Sequence, residues 1–158
     1  SSNEKSIFPC WHNLLVLLVR FFETMILTVM RITDDHLYIN CGGKATSVDG
    51  RDYEADTQSY GGSTFFLSAN KTWAYSSMGT FLEASEDKYI LDKTYISNSD
   101  ASLYSNARIA PISLKYYGFC LKNDNYTVKL DFAEIGWDTN TSSTIRKRVF
   151  DVEVQVNY

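Results

Sequence analysis

Two stretches of this chain alternate with a period of two residues, and they constrain the fold more than any other feature. In "YTVKLDFAEI", Tyr126, Val128, Leu130 and Phe132 fall on one face, with Thr127, Lys129 and Asp131 on the other. In "VFDVEVQV", Phe150, Val152, Val154 and Val156 alternate with Asp151, Glu153 and Gln155. Such alternation belongs to half-buried strands of an antiparallel sheet. Shorter strands are expected at Leu37–Asn40, Thr64–Leu67, Trp73–Ser76, Leu103–Ile109 and Ser113–Leu121. Asp49-Gly50, Gly61-Gly62 and Asn123-Asp124-Asn125 supply the turn chemistry between them. Many short strands with no long helical pattern after Asp34 predict an all-β sandwich or barrel, and 158 residues leave room for one such domain.

The first third reads differently. "WHNLLVLLVRFFETMILTVMRI" is apolar, and Arg20, Glu23, Thr24, Thr28 and Arg31 recur on it at helical spacing as a narrow polar stripe. The expectation is an amphipathic or partly buried helix. A membrane anchor or uncleaved signal is the alternative, but Arg20 and Glu23 at its middle would each cost roughly 2.5–3.5 kcal/mol in a bilayer. A segment foreign to the mature protein is the third reading. The chain therefore divides into residues 1–36, a linker plus this apolar helical segment, and residues 37–158, the β domain.

"LYINCGGK" raises the question of a phosphate loop. That loop needs the longer frame GxxxxGK[ST] and a following helix. Here "ATSVDGRDYEAD" follows, without helical periodicity. The glycines fit a tight turn or bulge where the backbone approaches another strand. Cys41 then has Cys120 as the other cysteine of the β region. If paired, they close a loop of about eighty residues, worth roughly 4.5 kcal/mol in the chain-entropy model. Cys10 is left over, and three unpaired buried thiols are the alternative.

Function classes narrow by composition and pattern. A net charge of -4 argues against nucleic acid, whose binding rests on phosphate neutralisation. A glycosidase needs two carboxylates flanking one bond. Asp131 and Glu134 are the obvious pair, but their odd separation along a strand sends them to opposite faces. His12 and His36 sit in no nucleophile pattern, and Asp34-Asp35-His36 reads as an acidic linker rather than a metal site. No catalytic site, cofactor or metal is expected. Three sequons, at Asn70, Asn125 and Asn140, lean toward the secretory pathway and should be exposed. Aromatics make up 15% of the chain, which suits both strands and ligand-facing surfaces.

"LYINCGGK", "YEAD", "TWAYSSMGTF", "LYSNARIAPISLKYYGFCLKNDNYTVKLDFAEI" and "RVFDVEVQ" resemble, in order and spacing, the malectin domain of plant leucine-rich-repeat receptor-like kinases. The resemblance runs from about Leu37 to Gln155, and "FPC" at Phe8–Cys10 resembles the link that precedes this domain. Trp11–Arg31 departs from the family and reads as an insertion. The resemblance implies a jelly-roll-like β-sandwich of antiparallel strands, C-terminally truncated, because family members continue past the "FDV" strand. On that reading the strand Val149–Val156 lacks a neighbour, and the chain should be marginally stable and prone to associate.

The implied function is a carbohydrate-binding ectodomain module of a cell-surface receptor-like kinase, on the extracellular side of the plasma membrane. Its partners would be carbohydrate or cell-wall glycan and co-receptor proteins. The membrane would be reached through the full-length receptor, which would carry any Ser/Thr kinase domain. Aligned with animal malectin, Ile109 and Gly136 stand where stacking tyrosines would be, and Trp137 replaces a phenylalanine. A rebuilt sugar site would draw on Tyr75, Tyr104, Tyr117 and Trp137. A strand tyrosine is more often a core residue than a platform, so Trp137, at a strand end before a polar loop, is the strongest of the four. The alternative function is a structural or protein–protein module that binds no sugar.

Overall fold

The computed structural model describes residues 14–21, 25–27, 29–32, 37–58, 62–81, 89–92, 101–121, 125–133, 135 and 150–157. They form thirteen strands and one helical turn. The strands are β1 (Leu14–Phe21), β2 (Met25–Leu27), β3 (Val29–Ile32), β4 (Leu37–Cys41), β5 (Thr46–Val48), β6 (Arg51–Asp56), β7 (Thr64–Leu67), β8 (Trp73–Met78) and β9 (Ile90–Asp92). The turn α1 (Ala101–Tyr104) precedes β10 (Asn106–Ala110), β11 (Ser113–Phe119), β12 (Val128–Asp131) and β13 (Phe150–Asn157). They assemble into sheets of order β13-β1-β11-β8-β7, β2-β10-β9 and β12-β3-β4-β6-β5. Every pairing is antiparallel except β4 with β6.

Among the described residues of the apolar N-terminal segment the expected helix is not found. Its described residues are the three strands β1, β2 and β3, one in each sheet. The reason is tertiary: β1 lies between β11 and β13, and β3 between β12 and β4, so each gains hydrogen-bond ladders on both sides. Those ladders override local helical spacing, which is a weak preference. Among the described residues no helix is long and apolar enough to cross a membrane.

The two five-stranded sheets share one core. Met30, Ile32, Leu37, Ile39 and Cys41 from one meet Trp73, Tyr75, Leu114 and Tyr116 from the other. Tyr126, Val128 and Leu130 pack against this cluster, as their alternation requires, while Phe132 is exposed and meets the Phe150 ring. The second alternating stretch departs from expectation. Phe150 packs on the core, but Val152 and Val154, further along the edge strand β13, are exposed. Its inner neighbour is present, however: β1 pairs with it over eight residues.

Candidate functional site

The Cys41-Gly42-Gly43 turn is built around an internal anion. Gly42 takes a φ of +80°, and a Cβ there would sit 2.6 Å from the backbone carbon of Ala107 on β10. Only glycine permits that approach. The Gly42 amide donates to Asp56 Oδ2 at 3.3 Å, and the Asp56 amide donates to the Gly43 carbonyl at 3.0 Å. The amide that a phosphate loop would aim at a ligand is thus aimed at the chain's own carboxylate.

Asp56 is fully buried, and so is its partner Arg108. The guanidinium donates to both carboxylate oxygens at 2.6 Å, to the Asp56 carbonyl at 3.0 Å and to the Gln58 carbonyl at 2.7 Å. Tyr116 donates its hydroxyl to Asp56 Oδ2 at 2.6 Å, and Arg108 lies 4.0 Å from the centre of the Tyr75 ring. Burial pushes the Asp56 carboxyl up, and Arg108 opposes that rise. These polar groups are aimed at one another, so the network is a strut between β6, β10 and β11.

Two surface features could face a ligand. The first is a recess of about 770 Å³ lined by Arg31, Tyr38, Asp49, Gly50, Arg51, Asp52 and Lys129. Its rim is the β5–β6 turn, where Asp49 and Gly50 both have positive φ, as a two-residue hairpin turn requires. Arg31, one of the lining residues, bridges to Asp131, which also accepts the Tyr104 hydroxyl at 3.3 Å, while Arg31 Nε is buried without a hydrogen-bond partner among the described residues. Burial, and then the Asp131 charge, raise the Tyr104 phenol, so it stays a donor.

The second is an aromatic strip on the face of the β11-β8-β7 sheet turned away from the core. Tyr117 and Phe119 point oppositely to buried Tyr116, and their ring planes lie within 3° of each other, 6.4 Å between centroids. The Tyr117 hydroxyl meets Ser76 Oγ of the next strand at 3.1 Å, so the ring lies across β8. Ala74, in register with Tyr117 and with Leu67, carries only a methyl group and is nevertheless fully buried beneath its neighbours. Phe65 extends the strip, 6.2 Å from Tyr117 and 60% exposed.

The three aromatic candidates among the described residues therefore do not converge. Tyr75 is corrected: it is fully buried in the core, donates to the Gln58 carbonyl at 3.3 Å, and offers no ligand-facing surface. Tyr104 is half-buried beside the recess, Tyr117 anchors the strip, and Trp137 lies outside the described residues. Phe65 and Phe119 escaped sequence reasoning, although Phe119 sits two residues from Tyr117 at strand spacing and Phe65 directly precedes the core aromatic Phe66. Asn70 and Asn125 are exposed, and Asn140 lies outside the described residues. The Cys41–Cys120 pairing is also corrected. Cys41 is a free thiol facing the core, whereas Cys120 is disulfide-bonded at the exposed end of β11. Among the described residues no cluster could hold a metal ion, and Asp34, Asp35 and His36 lie outside them.

An all-β domain with a self-satisfied polar strut and exposed aromatic surface has the features of a binding module. The chain belongs to the malectin domain family, whose profile matches residues 36–158. Three probable LRR receptor-like serine/threonine-protein kinases of Arabidopsis thaliana are similar to it, at 47%, 41% and 39% identity over 128, 122 and 124 residues. These matches cover 75%, 75% and 77% of this chain but only 13%, 12% and 12% of the relatives. No solved structure matches the chain at a significant level.

Proposed function

We propose that this chain is a glycan-binding ectodomain module of a receptor-like kinase, a jelly-roll-like sandwich displayed on the outer side of the plasma membrane. The observation that carries the reading is the strip of Phe65, Tyr117 and Phe119, with two rings held parallel and the third largely exposed. Sugars in water gain little from hydroxyl hydrogen bonds, about 0.5–1.5 kcal/mol each, because water competes for them. An aromatic face that covers the CH face of a sugar adds burial that water does not match. The recess is the weaker ligand site, since Arg31 and Tyr104 already hold Asp131. Trp137 joins the proposal from its sequence position alone. The kinase relatives supply the receptor context, and any kinase activity belongs to parts of such a protein beyond this domain.

The alternative is a module that docks a protein through the same strip. Glycan arrays separate the two. The full chain should give reproducible oligosaccharide signals that fall with Phe65→Ala and with Trp137→Ala. Absence of any glycan signal, with a co-receptor ectodomain bound through Phe65, would favour the docking reading.

A further inference from the structure

The residues matched by the malectin profile begin at 36, yet the strands Leu14–Phe21 and Val29–Ile32 lie inside two of the sheets. β11 and β13 both belong to the matched region, and neither pairs with the other; both pair with β1, in register from Leu14↔Phe119 and Leu14↔Asn157. The second sheet repeats the arrangement. β12 reaches β4 only through β3, with Met30 opposite Leu130 on one side and Ile39 on the other. Among the described residues, β12 and β13 therefore have no strand partner except the segment before the match. Between β1 and β3 in the chain, β2 adds an edge to β10 in the remaining sheet.

We infer that the strand-wide gaps between β11 and β13 and between β4 and β12 are strand-accepting interfaces, filled in cis by β1 and β3. The partner these gaps fit is an extended segment that presents its backbone antiparallel to neighbours on both sides. An interior strand sends alternate residues' N–H and C=O groups to opposite neighbours, so every residue of β1 contributes to one ladder or the other. A strand left without such a partner exposes unpaired donors and acceptors and becomes a template for association. β1 and β3 thus act as the domain's own complementing strands, and β12 and β13 hold their places through them.

Hydrogen–deuterium exchange on the full chain tests this. Amides of β1 and β3 should exchange as slowly as those of β11 and β4. Proline removes an N–H and breaks a ladder, so Val16→Pro and Met30→Pro should abolish protection in β13 and β12 respectively. Ser47→Pro, on the edge strand β5, should perturb only its own hairpin. If either proline variant does not fold, exchange in the parent chain still decides. Solvent-like exchange in β1 and β3 beside a protected β11 and β4 would overturn the inference. Retained protection of β13 in Val16→Pro would also overturn it. So would a stable dimer by light scattering in which β1 is protected, because a second copy would then fill the gap.

Discussion

Arg108 and Asp56 form a bidentate ion pair that neither side chain shares with solvent: Nε donates to Oδ2 and Nη2 to Oδ1, each at 2.6 Å. Burial by itself would lower the guanidinium's affinity for its proton, but the Asp56 charge and hydrogen bonds, together with Tyr116 and Tyr75, more than offset that. Removing one partner leaves the other buried and uncompensated, which is far more costly than the pair's own net contribution.

Asp56→Asn should therefore destabilise the domain by about 3–5 kcal/mol in urea unfolding. The doubly substituted Asp56→Asn, Arg108→Met protein should lose less than the sum of the two single variants. A loss below about 1 kcal/mol for Asp56→Asn would show that the strut does not hold the sheets together.

Cys41 supplies a pH signature. Burial first, and then the Asp56 charge, hold its thiol above the ordinary 9.0, and Tyr116 is held well above 10.0 for the same leading reason. The unfolded chain releases these protons earlier than the folded one. The contribution of both groups is complete below about pH 9 and declines as pH rises beyond it. Stability should fall from about pH 9 upward, as read by thermal melts across an alkaline series. Alkylation mapping should label Cys41 only on unfolding and Cys120 only after reduction.

Legibility in the sequence followed the range of the interactions. Tyr126, Val128 and Leu130 were readable because a strand's period is local, and Asp49-Gly50 because a two-residue turn dictates its own residues. Gly42 and Gly43 were readable as a close backbone approach, though not the strand approached. β1 and β2 were misread because their partners all lie far along the chain, and β3 because one of its two partners, β12, does; no local pattern encodes such pairing. Cysteine spacing likewise says nothing of side-chain direction: Cys41 turns inward toward Tyr116, and Cys120 sits at an exposed strand end. Of the strip Phe65, Tyr117 and Phe119 only Tyr117 was named from sequence, because exposure of Phe65 and Phe119 depends on which side of the sheet is covered.

The glycine turn gives a graded test. Gly42→Ala meets the β10 backbone at 2.6 Å and also carries a φ of +80°, so steric overlap adds to backbone strain. Gly50→Ala has a φ of +70° but nothing within 4 Å. Gly50→Ala should cost about 1–2 kcal/mol, the strain alone, and Gly42→Ala clearly more. Equal losses in urea unfolding would mean that the approach of β10 to the turn is not as described.

Asn70 stands exposed in the tight β7–β8 connection, where Lys71 and Trp73 donate backbone hydrogen bonds to Ser68. Asn125 is exposed just before β12. Both should carry an N-glycan when the chain is expressed through a secretory pathway, and intact mass should drop stepwise in Asn70→Gln and Asn125→Gln. A chain of unmodified mass would remove the sequons from the extracellular reading.

The proposed function turns on which surface holds sugar. Phe65 is exposed on the edge strand β7, so Phe65→Ala should leave stability within about 1 kcal/mol of the parent. Calorimetric titration of the full chain with an oligosaccharide taken from its array signals compares Phe65→Ala with Arg51→Ala, which alters the recess instead. An aromatic contact of about 0.5–1.5 kcal/mol predicts affinity weakened about 2- to 10-fold by Phe65→Ala and unchanged by Arg51→Ala. Unchanged affinity in Phe65→Ala, with loss in Arg51→Ala, would contradict the strip as the glycan site.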